Sequence, residues 1–89
     1  MKRVHLFIHG QVKGVFFRAY TKRKAKELGL IGFVRNVDEG VEVVAQGEDR
    51  DVNLMLEFCK RGPTSAIVED VEVIEEQPKD DLSDFEVRF

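Results

Sequence analysis

The apolar residues of this chain repeat with two different periods, and the order in which those periods alternate narrows its fold more than any other feature. Residues 3–9 alternate, with Val4, Leu6 and Ile8 on one side and His5, Phe7 and His9 on the other. That is the period-two pattern of a strand with one face in a core. From Phe17 to Leu28 the period becomes helical: Phe17, Thr21, Ala25 and Leu28 share a narrow arc, with Lys22, Arg23 and Lys26 opposite. Gly29 follows where a left-handed cap is wanted. Leu30 to Val37 and Val41 to Ala45 read as strands joined by a tight turn at Asp38-Glu39-Gly40. A second helix opens on Glu48, Asp49 and Asp51, acids that suit the positive end of a helix dipole. It carries Val52, Met55, Leu56, Phe58 and Cys59 on one side, and Gly62-Pro63 stops it after Lys60 and Arg61. Ala66 to Ile74 reads as a strand, Gln77 to Asp81 as a polar loop, and Phe85, Val87 and Phe89 as one face of a last strand.

This order predicts an α/β (α+β) chain: a ferredoxin-like β-α-β-β-α-β sandwich. Its antiparallel sheet carries two helices on one face and a short extra C-terminal strand. Residues 1–89 read as a single domain, undivided by any linker or repeat. A hydrophobic content of 43% suffices for a packed core. Cys59 is the single cysteine, so no internal disulfide forms, and a reducing compartment is expected. The apolar residues after Lys2-Arg3 give way at Gly10-Gln11, too soon for a secretion signal, and no stretch approaches the ~18 apolar residues of a membrane span. The expectation is a cytoplasmic protein that engages no membrane.

The net charge of −3 conceals an asymmetry. Residues 1–35 hold nine Lys/Arg against the one acid Glu27, and residues 36–89 hold five against sixteen acids. A basic front half attracts anions, whether nucleic acid or a small phosphate, unless Lys22, Arg23 and Lys26 form only the solvated face of their helix. A sequence pI near 5.4 weighs against a nucleic-acid surface.

Two segments carry chemistry. Gly10-Gln11-Val12-Lys13-Gly14-Val15-Phe16-Phe17-Arg18 is a glycine-containing loop between a strand and a helix start. Such a loop turns backbone N–H groups inward, and the helix dipole adds positive potential, which together make an anion site. Arg18 stands in the first helical turn, where a guanidinium gives two parallel bonds to phosphate oxygens. The same residues also suit a plain turn, and neither the spacing nor the residues of a Walker loop are present. Gly32-Phe33-Val34-Arg35-Asn36-Val37-Asp38-Glu39-Gly40 is the second segment. Asn36 and Asp38 either shape the hairpin through side-chain to backbone bonds, or Asn36 faces the loop. There its amide orients a water without deprotonating it.

Together the two segments resemble the signatures of the acylphosphatase family. Gly10, Val12, Gly14, Val15, Phe17 and Arg18 fit the first; Gly32-Phe33-Val34-Arg35-Asn36, then Gly40 and Glu42, fit the second. Gly47-Glu48, Gly62-Pro63 and the short last strand extend the likeness over almost the whole chain. The resemblance implies a hydrolase that cleaves acyl phosphates to carboxylate and inorganic phosphate, without metal or other cofactor. It assigns phosphate binding to Arg18 and to the backbone amides of Val12, Lys13, Gly14, Val15, Phe16 and Phe17. Water positioning falls to Asn36. The implied partners are a small acyl phosphate and inorganic phosphate as product or inhibitor; nucleic acid is not among them, and the chain is expected to act as a monomer. Lys13 stands where the family usually has glutamine, which bears on substrate affinity.

Other residues weigh less. His5 and His9 share a strand face and offer a metal pair or simple sheet-face histidines; His9 lies close enough to the loop to tune it. Cys59, on the apolar arc of helix two, reads as inert core, and Asp80 and Asp81 as a solvated loop. Two competing functions share the fold: an RNA-binding sheet using Phe7, Phe33 and Phe89, and a regulatory or metal-carrying domain. The first lacks the second aromatic of the RNA-binding pattern, and the second lacks Cys-x-x-Cys.

Overall fold

A computed structural model describes residues 1–14 and 16–89. The alternation of the first segment becomes β1 (Lys2–Gln11), which lies between β3 (Gly40–Gly47) and β4 (Ile67–Glu76) and runs antiparallel to both. β2 (Ile31–Val37) pairs antiparallel with β3. The order across the sheet is β4-β1-β3-β2-β5, with β5 (Phe85–Arg88) at the far edge. Val4, Leu6 and Ile8 of β1 and Val41, Val43 and Ala45 of β3 are all buried, on the face covered by α1 (Phe17–Glu27) and α2 (Asp49–Arg61). α1 lies on β2 and β5, and α2 on β1, β3 and β4. Phe17 and Ala25 from α1, and Val52, Met55 and Cys59 from α2, complete the core. Each large apolar side chain fully buried in this way stabilises the fold by roughly 1.5–3 kcal/mol.

The predicted ferredoxin-like architecture is present, with one difference of direction. The four main strands are antiparallel, but β5 runs parallel to β2, so the five-stranded sheet is mixed. The cause is where β4 ends. Glu76 pairs with Arg3, and Arg3 pairs with Gln46 opposite the start of β2. A chain crossing directly from that end of the sheet meets β2 at its beginning and runs alongside it. The crossing is tied down: the Gln46 side chain bonds the Lys79 backbone in both directions, at 2.9 and 3.0 Å. The Arg3 guanidinium donates to Asp81 at 2.8 and 3.2 Å. Asp81, expected to be merely solvated, is therefore a fastening point.

Strand ends also move. β1, β3 and β4 each run longer than their apolar runs because the neighbouring strands continue to pair with them, as Glu75 does with Val4. Phe85 is buried, whereas Phe89, the residue beyond β5, is fully exposed. Gly29 takes the left-handed conformation expected of it, at φ 70°.

The open face of the sheet holds charged groups in a connected row. Arg35 donates to Glu42, and His5 bridges Glu42 at 2.5 Å and Glu76 at 3.2 Å, with Arg3 on Glu76 at 3.0 Å. Burial pushes the Glu42 carboxyl up, but the bonds from Arg35 and His5 outweigh it and hold it below its ordinary 4.5. Burial likewise opposes, and Arg3 and His5 outweigh, at Glu76. For carboxylates held low, the stabilisation is whole above the ordinary value and is lost as pH falls through the folded value. Thermal melts at successive pH values below 4.5 should therefore show a steepening fall in Tm. Glu42→Gln should melt lower than wild type at neutral pH and fall less on acidification.

Thr21 offers a simpler test. Its Oγ1 is buried inside the arc of α1 with no hydrogen-bond partner among the described residues. A stranded hydroxyl costs about 1–3 kcal/mol. Thr21→Val removes it at nearly the same volume and should raise Tm by roughly 5 °C, read by calorimetry.

Candidate active site

A bulge precedes the loop between β1 and α1. The register of β1 against β4 shifts between His9 and Gly10. There the backbone passes so close to β4 that a Cβ on Gly10 would lie 2.2 Å from the Ile67 carbonyl oxygen. Only glycine fits there, and beyond the bulge the chain pairs with β4 for two more residues, Gly10 with Val68 and Gln11 with Ile67, before the loop begins. Val12 is then buried and Lys13 and Gly14 are exposed, Gly14 at φ 74°. Phe16 follows in the left-handed region at φ 62°, and Phe17 is buried at the start of α1. The buried Val12 and Phe17 thus bracket the exposed Lys13, Gly14 and Phe16 of the loop. Val15, expected to lend an amide to it, lies outside the described residues.

The two helix starts differ in a way that bears on ligands. α2 has Asp49 and Asp51 in its first turn, matching its dipole from within. The first turn of α1 has no acid, and its N-cap residue Phe16 makes no side-chain cap bond. Among the described residues, then, the first-turn N–H groups of α1 have neither an acid nor a side-chain cap beside them.

Beside this helix start lies a cleft of about 330 Å³ lined by Val12, Gly14, Phe16, Phe17, Arg18 and Ala19 from the loop and α1, Asn36 from β2, and Val87 and Phe89 from the last strand and the residue beyond it. Arg18 and Asn36, predicted from separate motifs, therefore share one cavity. The Arg18 guanidinium carbon sits 4.8 Å above the Phe89 ring, a cation–π contact that steadies the cation without neutralising it. Lys13 lies beside these residues. It stands outside the cleft lining, and its Nζ donates to the backbone carbonyls of Val37 at 3.0 Å and Asp38 at 3.1 Å.

Phe89 and Val87 were not among the predicted site residues; a last strand paired with β2 necessarily ends beside the loop. The other candidates lie elsewhere. His5 is engaged by Glu42 and Glu76, and His9 bonds Glu72 at 2.9 Å. Among the described residues, no group of three or more His, Cys, Asp or Glu side chains is arranged to hold a metal. Burial pushes the Cys59 thiol up to about 12, as an inert core cysteine requires. The open sheet face that an RNA would need has Glu42, Glu72 and Glu76 beside Phe7 and the histidines. Lys22, Arg23 and Lys26 are exposed on α1; Arg23 pairs with Glu27 and Lys26 with Asp84. Among the described residues, no helix is long and apolar enough to cross a membrane.

Phe16 holds a left-handed conformation while 77% exposed. Side chains with a Cβ occupy that region at a cost of about 1–2 kcal/mol. Glycine there gives back part of that gain in backbone entropy. Phe16→Gly should raise the unfolding free energy by up to about 1 kcal/mol, measured by urea titration.

Residues 4–87 match the family model described as Acylphosphatase. A protein of Haloarcula marismortui named Acylphosphatase is 48% identical over 98% of this chain and 96% of its own length. The crystal structure of acylphosphatase from Bacillus subtilis superposes with a TM-score of 0.93 at 29% identity, covering all of both chains. The structure of an acylphosphatase from Coxiella burnetii superposes at 0.90 and 41% identity, over 98% of this chain and 92% of that one.

Proposed function

The chain belongs to the acylphosphatase family, and from that premise we propose how its own residues hydrolyse acyl phosphates. The phosphoryl group binds the backbone amides of the loop from Val12 to Phe17 and the start of α1. Arg18 donates to two of its oxygens. The side-chain amide of Asn36 holds a water opposite the acyl oxygen. The observation that carries this reading is one cleft shared by Arg18, Asn36 and a helix start with neither acid nor side-chain cap.

The chemistry asks little more of the protein. The water oxygen forms a bond to phosphorus while the bond from phosphorus to the acyl oxygen breaks. The electron pair leaves with the carboxylate, and a water proton ends on the phosphate. A carboxylate leaving group has a conjugate acid of pKa about 4, so no general acid is needed to expel it. A loose phosphoryl-transfer transition state spreads charge over the three equatorial oxygens, and positioning plus fixed positive charge lowers its energy. Arg18 and the loop amides supply the charge, and Asn36 supplies the position. Metal is not required by this scheme. A phosphate monoester, with its much more basic leaving group, should be hydrolysed weakly or not at all.

The test is hydrolysis of benzoyl phosphate in excess chelator. Arg18→Ala should lose roughly 10²–10³ in kcat, together with affinity for inorganic phosphate. Asn36→Ala should lose a comparable factor in kcat and still be inhibited by phosphate at near wild-type concentrations. Near-normal turnover in Asn36→Ala would overturn its role, and equal background rates in wild type and Arg18→Ala would overturn the activity.

A further inference from the structure

We propose that Lys13 is a positioning residue for this reaction, bracing the anion loop against the β2–β3 turn and so fixing the loop amides relative to Asn36. The inference rests on the assignment of Asn36 to the attacking water.

The loop and the turn each need a tie. Lys13 and Gly14 are exposed, with the buried Val12 before them and the buried Phe17 beyond them. Asp38 and Glu39, at the tip of the hairpin, are exposed as well. Asn36 and Val37 sit at the end of β2, where pairing stops at Val37–Gly40. Two exposed chain segments carrying the two halves of a reacting geometry would drift independently. The Lys13 ammonium spans them, bonding the carbonyls of Val37 and Asp38, the two residues that follow Asn36. The charge itself points out of the cleft, because Lys13 is not part of its lining while its neighbours Val12 and Gly14 are. A cation recruited to hold phosphate would be turned the other way.

A brace and a phosphate ligand predict different kinetics. Lys13→Met keeps the stem and removes the donors. It should lower kcat for benzoyl phosphate about five-fold, since small misplacements of reacting groups are costly. The inhibition constant of inorganic phosphate should stay within about two-fold of wild type, because the seat for the anion is intact. Lys13→Arg, which can again reach both carbonyls, should recover most of the lost kcat. In an Asn36→Ala background, Lys13→Met should have little further effect on kcat, since the group it positions is gone. The amide resonances of Asp38 and Glu39 should shift in Lys13→Met without any loss in Tm.

Weaker phosphate inhibition with kcat retained would make Lys13 a direct anion ligand and overturn the brace. Unchanged kinetics with unmoved Asp38 and Glu39 resonances would also overturn it. Wild-type kcat in Asn36→Ala alone would remove the water-positioning role, and with it the route through which the brace acts. That failure is distinct from a broken brace, which the resonances report without turnover.

Discussion

With a single cysteine, nothing covalent braces the chain against itself, and its geometry depends on burying alternate residues of the two central strands. Val4, Leu6 and Ile8 of β1 and Val41, Val43 and Ala45 of β3 form the plane on which both helices lie. Because the side-chain period of a strand is two, a one-residue slip in either would expose its whole row. That penalty fixes the register, and the register carries the site. The bulge at Gly10 and the end of β2 at Asn36 are held by the same pairing of β1 and β2 to β3. The start of α1 is placed by Phe17 entering the core.

Under the function proposed above, the ligand supplies what the site leaves out. A helix start with no acid and no side-chain cap is a modest local defect in the empty protein. It becomes an asset when a dianion arrives, because the N–H groups need no reorganisation to meet it. Arg18 is handled in the same spirit. The face of Phe89, not a carboxylate, steadies its guanidinium, so the positive charge stays available. Glu42, Glu72 and Glu76 are engaged by histidines on the open face of the sheet.

Much of this was legible in the sequence because local pattern and global fold agree. The period switches at Gly10–Phe17 and at Gly47–Asp49 located both helices, and the tight turn at Asp38-Glu39 fixed the β2–β3 register. That register alone sets Arg35 opposite Glu42, so the first ion pair of the open-face row was within reach of the sequence. The rest of the row was not. His5 meets Glu76, and Arg3 meets Asp81, only once β4 has been laid beside β1. The direction of β5 was hidden for a similar reason, since it depends on which end of the sheet β4 leaves. Arg18 and Asn36 stood out through their motifs, whereas Lys13 drew notice for its loop amide and its place in the motif, not for any tie to the hairpin. The tie it makes depends on how near the loop lies to the hairpin, and no one-dimensional pattern records that distance.

The strand order has a consequence for how the molecule comes into being. β1 is made first, yet one of its two edges is closed by β4, made last but one. Until β4 is available, β1 has an open edge, and the contacts that complete the sheet span most of the sequence. Chains built on such distant pairings fold slowly and pass through states with exposed, adhesive strands. The acids along β4 matter most in that interval. Glu69, Asp70, Glu72, Glu75 and Glu76 lie within one ten-residue strand, and two nascent copies of it repel each other. The same strand can still settle beside β1, where Arg3, His5 and His9 await it. Its charge thus acts as a gatekeeper, admitting the strand to its own sheet and keeping it from a neighbour's.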